Sequence, residues 1–291
     1  MRIRISIIGI PMIIIGLLVT STIAALSQQP SASRGTVIFA VEKYDTGETI
    51  IEPVVIIKGK SFIKPPTGEE GDAASNKFTA DYFKSGTKYR MLSGGGEAGL
   101  ATVKERMEPG CADLRAIITT NTIARIGGEV LALATNSESL GLKASSRRDQ
   151  SEEERVAIVQ MAQRSFRQKG VTAALIKDMK ASHLAALDLN HDGLFELTGS
   201  FSIDKGESVY SLFIIAQPEG LGYRNSFNWY YKSVSEAGRE SQQLVDALDI
   251  DKDGVMEIIV QYIYYESYEF IIYKKQKGVW RSIYRGGGGG C

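Results

Sequence analysis

The chain is expected to be mainly β, an α+β protein of antiparallel sheets with a helical insert, and three observations carry that expectation. Short runs rich in β-branched residues alternate with Gly, Pro, Asn and Asp through the first half. One later segment has a helical period behind a capping box. A stretch near the C-terminal end repeats an earlier one position by position. At 291 residues with 43% hydrophobic content, the chain can bury a sizeable core in one large or two ordinary domains.

In chain order, residues 1–27 come first. Arg2 and Arg4 precede an uncharged run, Ile5 to Ala25, that ends in small residues with an Ala25-Leu26-Ser27 cleavage pattern. The segment reads as a signal peptide or, uncut, as an N-terminal membrane anchor, since about 20 apolar residues span a bilayer. Either reading places the rest outside the cytoplasm: periplasmic, secreted or anchored facing outward. Residues 35–137 form a β-rich domain whose strands lie in "TVIFAVEK", "ETIIEPVVIIKGK", "KYRMLSG", "GLATVKER", "LRAIITTN" and "GEVLALAT". The glycines of "GGGEAG" read as a hairpin turn rather than a dinucleotide loop, because no βαβ pattern follows. Residues 151–182 are a helical insert. Ser151 and Glu154 make the capping box, Val156, Val159, Ala162 and Phe166 share one face, and a second short helix precedes "HLAALDL". Residues 183–285 hold two β repeats, and 286–291 are a Gly-rich tail. That tail is a flexible tether able to carry Cys291 to Cys111, as a disulfide or as two separate thiols.

In the repeat, "AALDLNHDGLFELTGSF" matches "DALDIDKDGVMEIIVQY" at each oxygen-bearing position. Asp188, Asn190, Asp192, Gly193 and Glu196 correspond to Asp249, Asp251, Asp253, Gly254 and Glu257. Beyond the loops, Phe213-Ile214-Ile215 recurs as Phe270-Ile271-Ile272, and each copy reads as a strand, an acidic loop and three more strands. Calcium takes six to eight oxygens, and alternate side chains of a tight loop converge on one point where glycine allows the turn. The expected ligands are therefore Asp188, Asn190, Asp192 and Glu196 with the Leu194 carbonyl, and Asp249, Asp251, Asp253 and Glu257 with the Val255 carbonyl. Magnesium wants a stricter octahedron, and zinc wants nitrogen or sulfur. A helix-loop-helix calcium site ends in glutamate at its twelfth position, where this chain has Gly199 and Val260. With the carboxylate at the ninth position and a strand after it, the loop resembles those of the FG-GAP and VCBS calcium repeats of integrin-type β-propellers. The resemblance covers residues 183–284 and implies two propeller-blade-like units. Two units are too few to close a propeller, so an open or composite sheet is expected.

Lys and Arg number 34 and Asp and Glu 34, with no basic stripe, which excludes the electrostatic footprint of a nucleic-acid binder. No catalytic constellation stands out. Cys111 as a nucleophile would need His183, and His183 sits on an apolar strand as a structural histidine. The aromatic run "QYIYYESYEF" reads as cross-strand packing ahead of a stacking platform for sugar or peptide. The expectation is an exported, calcium-stabilised binding or structural module, leaning away from an enzyme. Its partner would be a protein or glycan at the cell surface or envelope, and it would meet the membrane only through an uncleaved N-terminus. The competing class is an extracytoplasmic hydrolase with structural calcium sites.

Overall fold

Two-sided burial, rather than alternation, shapes the central strands of this protein. The computed structural model describes residues 35–44, 47–67, 72–107, 114–122, 131–206 and 208–290. The export segment 1–27, Cys111 and Cys291 lie outside the described residues, as does any bridge between the two cysteines. Among the described residues no helix is long and apolar enough to cross a membrane.

The first half comprises β1 (Thr36–Lys43), β2 (Thr49–Lys58), β3 (Ser61–Ile63), α1 (Ala73–Tyr82), β4 (Lys88–Ser93), β5 (Gly96–Arg106), β6 (Ala116–Thr122) and β7 (Ala132–Thr135). Six of these strands pair antiparallel in the order β1-β7-β4-β5-β6-β2, and β1 pairs again with β2, which closes a barrel. The "GGGEAG" glycines turn the β4–β5 hairpin, with Ser93 opposite Gly96. Val37, Phe39, Val41, Ile51, Tyr89 and Met91 line the interior. α1, which the turn-rich sequence around it hides, is capped by Asp72 and supplies Phe78 and Tyr82 to that interior. The Phe39 ring lies 4.8 Å from Tyr89 and 6.5 Å from both helix rings.

The second half begins with β8 (Arg147–Arg148), α2 (Glu152–Gln168) and α3 (Ala173–Ile176). The Ser151–Glu154 capping box opens α2. Its buried face is Ile158, Met161, Ala162 and Phe166 with Val159 half-buried beside them, whereas Val156 is exposed, so of the face expected from sequence only Val156 falls off the apolar stripe. β9 (Lys180–Leu187), β10 (Glu196–Lys205), β11 (Ser208–Glu219) and β12 (Gly222–Ser233) form one antiparallel meander, with β8 on its edge. β13 (Ser241–Leu248), β14 (Glu257–Ile263), β15 (Ser267–Gln276) and β16 (Val279–Gly290) form the other. Each acidic loop joins the first two long strands of its meander.

The layers stack. α2 covers one face of the first meander through Phe166, Phe201, Leu212 and Ile214. The other face meets the second meander through Leu187, Phe213, Ile215, Ile258, Val260 and Trp280. The second meander's far face packs on the outside of the barrel through Val245, Ile259, Phe270 and Ile272 against Ile38, Val54, Val55 and Leu133. A strand buried on both faces needs a continuous apolar run, which is what "EIIVQYI" supplies. The glycine run expected as a loose tail is instead the end of β16, with Gly286 opposite Phe270 and Gly290 opposite Ser267. A Cβ at Gly287 would meet the Pro53 and Val54 carbonyls at 2.6 and 2.7 Å, so glycine here permits close approach to β2.

Candidate metal centre

Both acidic loops adopt the same backbone path. His191 and Lys252, matched in sequence, have φ of 59° and 62°, and Gly193 and Gly254 have φ of 82° and 94°. That left-handed pair is what a tight loop needs to bring alternate side chains inward, and glycine carries the second position without strain. The hydrogen bonds match as well. Asp188 Oδ2 accepts the Gly193 N–H and Asp249 Oδ2 the Gly254 N–H, each at 3.0 Å. Asp192 Oδ1 accepts from Leu194 N at 2.8 Å, and Asp253 Oδ1 from Val255 N at 3.0 Å. Glu196 and Glu257 reach back to the Leu189 and Ile250 N–H groups at 3.5 and 2.8 Å. These matched bonds give the two loops the same turn. Leu194 and Val255 are held in the curve by their N–H bonds.

Charge separates the two. In the second loop, Lys274 Nζ lies 2.6 Å from Asp251 Oδ2, 2.6 Å from Asp253 Oδ2 and 2.8 Å from Glu257 Oε1. Asp249, Asp251 and Glu257 each bring a carboxylate oxygen within 4.8 Å of the others. Burial works against the Lys274 ammonium, yet the three carboxylates hold its pKa above the usual lysine value. The Lys274 ammonium lowers the Asp253 pKa, with help from the Val255 N–H. Burial raises the Glu257 pKa against the pull of Lys274. One oxygen is left over: Asp249 Oδ1 is buried with no hydrogen-bond partner.

In the first loop, Asp188 Oδ1 accepts from Asp192 N at 3.0 Å, and Asn190 donates to Asp192 Oδ2 at 2.8 Å. Asp188 and Glu196 are 9% and 8% exposed, and among the described residues neither has a Lys or Arg within ion-pair distance. Burial raises the Glu196 pKa, and the Leu189 N–H and the field of Lys275 offset this in part. In the first loop Asn190 stands where the second loop has Asp251, so one carboxylate fewer enters the cluster.

Sequence reasoning did not single out Lys274 or its counterpart. The signal was present: the register opposes Ile258 to Tyr273 and Leu197 to Ala216, which sets Lys274 beside Glu257 and Gln217 beside Glu196. The loops also touch. Met256 N donates to Leu189 O at 2.8 Å, and Asp188 N donates to Ser146 O at 3.0 Å.

His183 is half-buried at a β-bulge with φ of 51°, beside Ser182 Oγ at 3.1 Å. It lines a cavity of about 150 Å³ together with Ser200, Ser202, Asp204 and Arg239, where the sequence suggested a plain strand position. In the aromatic run, Tyr262 meets Trp229 of the first meander at 5.3 Å and its own-segment neighbour Tyr264 at 4.7 Å.

No protein-family model matches the chain, and no curated protein or solved structure is found similar to it.

Proposed function

We propose that this chain is an exported, calcium-stabilised binding or structural module of the cell surface or envelope, with calcium held by repeats of the FG-GAP/VCBS type. One observation carries the reading: two loops with matching left-handed turns and three matching hydrogen bonds carry acidic side chains, and some of the carboxylate oxygens lack a counter-charge. Glu196 is more than nine-tenths buried without an ion pair, and Asp249 Oδ1 is buried without any partner. A buried carboxylate left unpaired is costly, and a hard divalent cation with oxygen ligands is the partner that relieves the cost. The role is structural, because the loops join strands at the junction of two sheets.

Thermal unfolding in millimolar calcium against chelator tests this. Binding to the folded state alone raises stability by about 2.7 kcal/mol at a calcium concentration 100 times Kd. Asp188→Ala should remove most of that rise, and magnesium should replace calcium poorly. A melting temperature indifferent to calcium and chelator would overturn the reading. For export, a reporter joined to the C-terminal end should be active outside the cytoplasm and lose that activity when Ile13, Ile14 and Ile15 become Asp. Activity of the unaltered fusion inside the cytoplasm would contradict it.

A further inference from the structure

We propose that the residue facing the loop glutamate selects which loop takes a divalent cation: Gln217 leaves the first loop open to one, whereas Lys274 fills the second with its own ammonium. The inference rests on the calcium reading above and refines it from two sites to one.

Calcium binds oxygens at about 2.3–2.6 Å. The Lys274 ammonium already lies 2.6–2.8 Å from three of the five oxygens expected to ligate in the second loop. Two cations cannot share that point, so calcium enters only by displacing the Lys274 ammonium from the three carboxylates that hold it. In the first loop the same place in the register is the neutral Gln217, whose Oε1 accepts from Lys275 at 3.0 Å. The substitution is paired. Where the first loop has Asn190 and Gln217, the second has Asp251 and Lys274, an amide pair exchanged for an ion pair at unchanged net charge.

An independent observation marks the first loop as the one awaiting a cation. Glu196 is 8% exposed, the Leu189 N–H reaches it only at 3.5 Å, and among the described residues no Lys or Arg lies within ion-pair distance of it. Asp188, Asn190, Asp192 and Glu196 with the Leu194 carbonyl offer five oxygens, and water completes the six to eight that calcium takes.

Counting bound calcium by native mass spectrometry and calorimetry on the full chain tests the proposal. The unaltered protein should bind one ion. Gln217→Lys, which places an amine beside Glu196, should bind none while melting in chelator no lower than the parent. The double change Asp251→Asn with Lys274→Gln, which copies the first loop's amide pair, should bind two. Two ions in the unaltered protein, or one ion still held in the first loop of Gln217→Lys, would overturn the proposal while leaving the calcium reading intact. No ion in the parent and none in the double variant would overturn both.

Discussion

Glu52 sits on the outer face of the barrel, 1% exposed, accepting from the Tyr268 hydroxyl and paired with Arg115 Nε at 3.5 Å. Its other carboxylate oxygen is buried without a hydrogen-bond partner. Burial, reinforced by Glu42 nearby, pushes its pKa up to about 8, while Arg115 and Tyr268 pull the other way. Glu42, held by Gln261 at 3.3 Å, is raised by burial too. A carboxyl whose pKa is higher folded than unfolded binds extra protons in the folded state, so stability falls as pH rises through the window between the two values. Denaturant midpoints should therefore decline from about pH 4.5 to pH 8, and Glu52→Gln should flatten the decline and be the more stable protein at pH 9. An identical pH profile in the variant would refute the assignment. The cap is a second residue-scale case: Ser151→Ala should cost about 1 kcal/mol through loss of the bond to the Glu154 N–H. At this scale the loop oxygens were legible because their chemistry is local. Lys274 was not, since it reaches its carboxylates only through pairing between β14 and β15.

Elements were legible where side chains carry a period and opaque where they do not. The Ser151–Glu154 box announced α2, and β-branched runs announced β1, β2 and β6. Glycines 286–290 carry no side chain to betray a strand, so β16 reads as a tail until its partner β15 is seen. α1 holds Phe78 and Tyr82 one helical turn apart, but flanking turn residues mask so short a stripe, and the barrel interior makes the helix worthwhile. The packing of β16 on β2 sets up a contrast between two glycines. Gly287→Ala must force φ of 67° and press on two β2 carbonyls, costing about 1–3 kcal/mol in urea unfolding. Gly222→Ala, with open space around its Cβ position, should stay within about 0.5 kcal/mol. Equal effects would show that β16 does not lie against β2.

At the scale of the molecule, residues 35–291 cluster as one unit, because barrel and meanders share buried faces and buried charge. Asp246, fully buried in β13, accepts both from Gly94 N in the barrel hairpin, at 2.9 and 3.1 Å, and from Arg147 Nη1 at 3.1 Å. Removing one partner strands the other charge, so Arg147→Ala should cost about 3–5 kcal/mol and loosen barrel and meander together. Two separate unfolding transitions in the unaltered protein would argue against this coupling. Barrel closure was not legible in the sequence, since β1 finds β7 almost a hundred residues away and local pattern says nothing of strand order. The acidic loops lie against the same junction: Asp188 N bonds Ser146 O, Ser146 N bonds Gly94 O, and Met256 N bonds Leu189 O. A cation in the first loop would thus pin the place where hairpin, first meander and second meander meet. A crystal structure grown in millimolar calcium tests this most directly. The account predicts ion density about 2.3–2.6 Å from oxygens of Asp188, Asn190, Asp192, Leu194 and Glu196, with the Lys274 amine in the matching place of the second loop. A first loop without an ion at saturating calcium, its carboxylates still turned inward, would contradict it.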